Sequence, residues 1–180
     1  YRGRHTGTFG LAGIFSFNGN KTITTGGGGM IITDDESFYQ RVKHITTTAK
    51  IPHRWEFVHD EVGYNLRMPN VNAAVGVAQM ENIETYLINK RDTAQKYIQC
   101  FTELGISHVS ELKHSRANYW LNAIKLENRA ERDEFLEFSN DQGVNARPIW
   151  TLSNKLKMFD ACQHAELINS QWLEDRAVNI

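Results

Sequence analysis

The sequence predicts an α/β chain. Three observations carry that expectation: short apolar runs of strand length alternate with longer segments of helical period, no segment repeats another, and the composition suits a protein with a core. Hydrophobic residues make up 41% and charged residues 23% of the 180 positions, outside the low-hydrophobicity, high-charge range in which chains stay disordered.

The apolar run from Ala12 to Phe17 and the shorter run from Met30 to Thr33 read as buried strands. Thr33-Asp34-Asp35-Glu36 has capping-box spacing, and Phe38, Val42 and Ile45 follow at helical intervals, so a helix is expected from about Asp35 to Ile45. The segment through Pro52 to Asn65 keeps neither period and is expected to be an irregular loop. After Pro69-Asn70, the residues Val71, Ala74, Val75, Ala78, Ile83, Tyr86, Leu87, Ala94, Tyr97, Ile98 and Phe101 fall on one stripe. That stripe predicts a long helix, bent near Glu81 and ending before Gly105. Asn118 to Leu126 reads as a strand, and Asn128-Arg129-Ala130-Glu131 caps a helix that carries Phe135 and Phe138 and stops at Gly143. Val144 to Trp150 reads as another strand, and the last helix is expected from about Gln163 to Asp175 with Ala165, Ile168 and Trp172 on its face.

Charge and residue spacing narrow the function. Twenty Lys and Arg against 21 Asp and Glu leave a net charge of −1, too little single-sign field for a dedicated nucleic-acid binder. Cys100 and Cys162 read as lying on separate helices with no CxxC spacing, and the seven His show no HExxH or other zinc pattern. Neither a disulfide nor a metal is expected. His59-Asp60 suggests a base with its orienter, but adjacent residues in extended chain point apart, so loop polarity is the plainer reading. Trp55, Trp120, Trp150 and Trp172 are scattered and read as core or interface anchors, and the charged run Glu127 to Glu137 as a solvated helix face. No stretch reaches the roughly 20 apolar residues that span a bilayer, and Tyr1-Arg2-Gly3-Arg4-His5 is too polar to start a signal peptide, so a cytoplasmic location without a membrane partner is expected. The first residue is not Met, and the chain is expected to begin within a longer polypeptide.

The informative segment runs from Ser16 to Gly29, between the first two strands, where Lys21 precedes four consecutive glycines, Gly26 to Gly29. Glycine lets backbone turn with positive φ and approach a ligand closely, so the amine has room to face a cofactor. Spacing alone leaves open a flexible hairpin with an exposed lysine. A P-loop is excluded because the lysine precedes the glycines.

Ser16-Phe17, then Lys21, then Thr24-Thr25-Gly26-Gly27-Gly28-Gly29-Met30 resembles the cofactor-lysine segment of the DegT/DnrJ/EryC1/StrS sugar aminotransferases, fold type I enzymes that use pyridoxal 5′-phosphate (PLP). Gly63-Tyr64-Asn65-Leu66-Arg67-Met68-Pro69-Asn70, followed by Asn72-Ala73-Ala74 and Gln79-Met80, is similar to that family's loop and long helix. Ala146-Arg147-Pro148-Ile149-Trp150 resembles its late strand, so the resemblance covers essentially the whole chain. Gly3-Arg4-His5, Pro52-His53-Arg54-Trp55-Glu56-Phe57 and Trp172-Leu173-Glu174-Asp175-Arg176 resemble the subgroup that aminates 4-keto sugars for legionaminic-acid-type nonulosonates.

The resemblance implies roles for named residues. Lys21 would form the internal Schiff base with PLP and then move the proton between the substrate carbon and the cofactor. Ser16 would hydrogen-bond the cofactor phosphate, and Asn65 would reach the phosphate in the neighbouring subunit of a homodimer with shared sites. Arg67 would pair with the diphosphate of a nucleotide-linked keto sugar, since a planar guanidinium suits phosphate oxygens. The amino donor would be glutamate. Residues 1–84 would close the large PLP-binding domain and 85–180 would form the small α/β domain, truncated at its end. Gly27 stands where many members have Glu, and Asn154 where a His often follows the late strand. The family's upstream half, with the Asp for the pyridine nitrogen and the aromatic that stacks on the ring, is expected outside this sequence. Lys21 argues against the family's sugar 3-dehydratase branch, which has His there. A reading from another class is a non-catalytic fragment or interaction module that cannot bind PLP productively without that half.

Overall fold

A computed structural model describes residues 1–180, which form two compact units. The first comprises Tyr1–Leu87 with Lys113–Arg116, and the second Ile88–Leu112 with Ala117–Ile180. No helix is long and apolar enough to cross a membrane.

In the first unit β1 (Gly13–Ser16) and β2 (Gly29–Ile32) pair antiparallel, with Gly13 opposite Ile32 and Ser16 opposite Gly29. Both strands lie where the apolar runs predict them, but they are not buried: Ile14 is 72% and Met30 50% exposed. A two-stranded ribbon has faces that only a further layer can cover, and the chain supplies none for these side chains. Helix α1 (Glu36–Thr46) starts one residue inside the predicted span, because Asp35 is its N-cap and accepts from the Phe38 N–H at 2.7 Å. Those hydrogen bonds, from the Phe38 N–H first and the Ser37 hydroxyl second, hold the Asp35 carboxyl below the usual carboxylate range.

The segment after α1 is irregular, as predicted, yet its backbone is paired: Tyr64 N–H donates to Ile45 O at 2.7 Å and Leu66 N–H to Thr46 O at 2.9 Å. The predicted long helix divides into α2 (Asn70–Glu81) and α3 (Ile83–Glu103), with the break at Asn82. The boundary between the units falls within α3. The apolar stripe does not face this chain's interior along α2, where Val71 is 77% and Val75 43% exposed.

The second unit is built on a four-stranded antiparallel sheet of order β3-β4-β6-β5, with β3 at Ser107–His108, β4 at Ala123–Lys125, β5 at Arg147–Pro148 and β6 at Ala177–Asn179. Ile124 and Val178 face each other across the β4–β6 ladder and, with Ala146, form the buried core against which Phe101, Ile106, Phe135 and Leu136 pack. Helix α4 (Arg129–Asp141) has the predicted cap: Asn128 Oδ1 accepts from the Glu131 N–H at 3.0 Å, and α4 ends before Gly143 in left-handed backbone.

Several expectations need correction. The strand expected over Asn118 to Leu126 shortens to Ala123–Lys125, since Tyr119 takes a φ of 45° that no strand tolerates. The last helix is α5 (Ile168–Glu174), which begins five residues later than expected at an end with no side-chain cap. Cys162 lies in a turn, not on a helix, and both cysteines are free and exposed. Phe138 is 66% exposed, and so are Trp55 and Trp150 at 68% each, so these aromatics are not core anchors of this chain. Within the charged run Arg132 is buried, its guanidinium donating to the Glu174 carbonyl and to Asp133.

Candidate active site

The connection between β1 and β2 folds back on itself. Phe17 N–H donates to Gly28 O at 3.0 Å, Thr25 N–H to Phe17 O at 3.1 Å, and the Thr24 hydroxyl to the same carbonyl at 3.1 Å. Lys21 sits on a turn opened by Asn18, whose carbonyl accepts the Lys21 N–H at 3.0 Å. Ser16, at the end of β1, accepts from the Asn18 N–H at 3.4 Å, which leaves its hydroxyl proton for another acceptor. Gly26 and Gly28 have φ of 77° and 111°, which favour glycine, and at Gly28 an added Cβ would stand 3.1 Å from Met68 Cε, so that side chain would have to give way as well. The hairpin that spacing alone left open is present, since β1 and β2 pair antiparallel, and these hydrogen bonds close its loop.

That loop is docked on α2. Gln79 Oε1 accepts from the Thr24 N–H at 3.4 Å, and Asn72 Nδ2 donates to the Thr25 carbonyl. Between them lies Gly76, where a Cβ would come within 2.9 Å of Thr25 Cγ2. Thr25 is 4% exposed. Positions 72, 76 and 79 are spaced i, i+4 and i+7 and therefore share one face. The signal was legible as a polar and small-residue row flanking the apolar stripe, but the sequence reading gave these residues no role.

Asn65 and Arg67 lie elsewhere in the first unit, at the C-terminal end of α1. Asn65 forms an isolated antiparallel bridge with Thr47, and the Arg67 guanidinium donates to the Thr47 carbonyl at 3.0 Å. Both side chains are otherwise exposed. The fold thus places Ser16 with Lys21 on one loop and Asn65 with Arg67 on another.

The same loop carries an ion-pair network. His44 Nε2 lies 2.6 Å from Asp60 Oδ1, and Arg41 grips Glu61 with both guanidinium nitrogens. The His44 hydrogen bond holds the Asp60 carboxyl below its usual range, and the Arg41 bond does the same for Glu61. His44, Asp60 and Glu61 have the clustering of a metal site, but Arg41 already neutralises Glu61. His59 turns away from Asp60 and contacts the Thr48 carbonyl at 2.6 Å, so these neighbours do not form a dyad.

In the second unit, Glu174 anchors the chain after β5, accepting from the Leu152 N–H at 3.0 Å and pairing with Lys155. Burial pushes the Glu174 carboxyl up, but the hydrogen bonds from Lys155 and Leu152 outweigh it and leave it lowered. Asn154, beside that anchor, has its side-chain oxygen buried without a hydrogen-bond partner. A cleft lined by Gly7, Leu11, Gly13, Thr33 and Asp35 opens near the start of α1 and holds none of the four predicted site residues.

Comparison with known proteins bears on this arrangement. Residues 1–180 match the DegT/DnrJ/EryC1/StrS aminotransferase family throughout. The chain is 37% identical over 159 residues to the GDP-perosamine synthase of Escherichia coli O157:H7, covering 88% of this chain and 43% of that protein. Among solved structures, the aminotransferase TlmJ from Streptoalloteichus hindustanus superposes with a TM-score of 0.90 at 20% identity, over 99% of this chain and 48% of that one. The E. coli GDP-4-keto-6-deoxy-D-mannose-3-dehydratase with bound hydrated PLP superposes with a TM-score of 0.83 at 23% identity, over all of this chain and 52% of that one. The chain therefore spans about half the length of the relatives it matches. A lysine held on a closed, glycine-flanked loop, a fold shared with solved sugar aminotransferases and an end-to-end family match lead to one conclusion: the chain belongs to the DegT/DnrJ/EryC1/StrS aminotransferase family.

Proposed function

We propose that the protein carrying this chain is a PLP-dependent aminotransferase that moves an amino group from glutamate to the 4-keto carbon of a nucleotide-linked sugar. The observation that carries this reading is Lys21 on its closed loop in a member of this aminotransferase family. The residues present fit the cofactor at two points: an amine for its carbonyl carbon, and the Ser16 hydroxyl, with its proton uncommitted, for its phosphate. Space is open beside them, since a Cβ at Gly19 or Gly27 would meet nothing within 4 Å. When bound, the cofactor supplies an electron sink for the charge that develops at the substrate carbon.

This chain's residues then do the positioning and the proton transfer. Lys21 Nζ would hold the cofactor through its carbonyl carbon and, once displaced from it by the incoming amine, would carry a proton between the substrate carbon and the cofactor. Ser16 Oγ donates to the phosphate, and Asn65 Nδ2 donates to the phosphate bound by the other subunit of a homodimer. Arg67, already oriented by the Thr47 carbonyl, directs its remaining N–H groups to the sugar nucleotide's diphosphate. Residues 1–84 belong to the large domain and 85–180 to the small one, and the enzyme works in the cytoplasm. The segments quoted for the legionaminic-acid subgroup support a substrate for cell-surface polysaccharide or nonulosonate synthesis, while the GDP-perosamine synthase relative supports the broader class of nucleotide-linked sugars.

The experiment is borohydride reduction of the intact protein after incubation with PLP, followed by peptide mapping. Label on Lys21, with turnover abolished in Lys21→Ala, supports the assignment; substantial turnover in Lys21→Ala without added amine overturns it. A second reading, favoured by the half-length match, is that residues 1–180 alone do not bind PLP productively. It predicts no Lys21-dependent visible absorption when this chain by itself is mixed with PLP.

A further inference from the structure

We propose that Asn72, Gly76 and Gln79 are positioning residues for Lys21, a face of α2 that holds the lysine loop in one register; the role rests on the reading of Lys21 as the cofactor lysine. All other residues of α2 are exposed, and only these three are partly buried. All three contact one dipeptide, Thr24-Thr25. Gln79 accepts the Thr24 N–H and Asn72 donates to the Thr25 carbonyl, so both ends of Thr24-Thr25 are held by side chains that protrude from the same helix face. Gly76 sits between them and lets the Thr25 methyl approach the helix backbone. The Gln79 amide nitrogen donates to the Tyr86 hydroxyl at 3.3 Å, which leaves the carbonyl end of that amide for Thr24.

The loop transmits this hold to Lys21. Lys21 precedes Thr24 by three residues, a reach of about 10 Å when extended, and its N–H is tied to Asn18 O. Thr25 N–H and the Thr24 hydroxyl both bond Phe17 O, so the turn and the docked dipeptide move as one block. Releasing Thr24-Thr25 from α2 therefore lets the block carrying Lys21 shift against the strand end that carries Ser16. Reaction geometry tolerates little such shift, because misplacement by about 1 Å costs on the order of a hundredfold in rate.

The test uses the intact protein and reads the loop independently of turnover. Amide exchange is measured at Lys21 and Thr25, and PLP is trapped on lysines with borohydride and mapped. Asn72→Asp keeps the side-chain shape but removes the donor to Thr25 O, Gln79→Ala removes the acceptor for Thr24 N–H, and Gln79→Glu retains that acceptor. Asn72→Asp and Gln79→Ala are expected to speed exchange at Thr25 by about five- to tenfold, with the Ile106 amide of the second unit unchanged. The share of label on Lys21 relative to other lysines should fall several-fold in both, and Gln79→Glu should restore both readouts toward wild type. Unchanged exchange in Asn72→Asp and Gln79→Ala overturns the clamp, and faster exchange with undiminished Lys21 labelling overturns its positioning role. If Asn72→Asp does not fold, the Gln79→Ala and Gln79→Glu pair decides by the same criteria. Wild-type protein with no label on Lys21 overturns the functional reading and the positioning role with it, which separates that failure from a failure of the clamp.

Discussion

Replacing Gly76 with Ala sets two effects of opposite sign against each other. Within a helix Ala is favoured over Gly by about 0.8–1.0 kcal/mol, so a site with room would gain that much. Gly76 has no room: the new Cβ would lie 2.9 Å from Thr25 Cγ2. Optimal carbon contacts are at about 3.5–4.0 Å, so the neighbour must yield by roughly 0.6 Å or more. Thr25 is poorly placed to yield, because its hydroxyl bonds Gly27 O, its carbonyl is held by Asn72 and it is 4% exposed. Overpacking of this kind costs about 1–3 kcal/mol, so the net expected for Gly76→Ala is a destabilisation of the docked loop by about 0–2 kcal/mol. Thr25→Ser deletes the offending methyl and keeps the hydroxyl, at a cost of about 0.8 kcal/mol for the buried carbon. In the double variant the overlap is gone and the helix gain survives. The assay is native-state exchange at the Thr25 amide in all four proteins, treated as a double-mutant cycle. A coupling of about 1–2 kcal/mol in favour of the double variant is expected; additivity within about 0.5 kcal/mol would show that the loop does not press on α2 at Gly76.

Shared active sites predict complementation: Lys21→Ala subunits mixed with Asn65→Ala subunits under exchange conditions should regain activity, because one site of each mixed dimer keeps both residues. Recovery no greater than that of the Asn65→Ala protein alone would place each site within a single chain. Acid should loosen the loop that carries Asn65 and Arg67. The Asp60 and Glu61 carboxyls are held below their ordinary values by His44 and Arg41, so the unfolded loop binds protons more readily than the folded one. Their contribution is present above the ordinary carboxylate range, near pH 4, and is lost as the pH falls through the lowered values. Amide exchange at Tyr64 and Leu66, corrected for intrinsic rate, should accelerate there, and the acceleration should vanish in the Asp60→Asn/Glu61→Gln variant. An identical pH profile in that variant would remove the ion pairs from the account.

What the sequence determined by itself is what depends on neighbours a few residues away. The cap of α4 at Asn128, the start of α1 beside Asp35, its end before an irregular segment and the helix break near Glu81 rest on contacts within a turn, and the structure has them where the residues predict. The lysine loop before the glycines was legible for the same reason, and it carried the family with it. Only tertiary structure decided the rest. Pairing β4 with β6 joins Lys125 to Ala177 across more than fifty residues, and neither three-residue strand carries a pattern long enough to announce its partner. The stripe on α2 shows which residues are apolar but not what meets them, and in this chain the flanking row, Asn72, Gly76 and Gln79, makes the contacts. Arg132 reads as one charge among many until the fold brings the Glu174 carbonyl to it, because burial of a cation depends on which distant acceptor arrives.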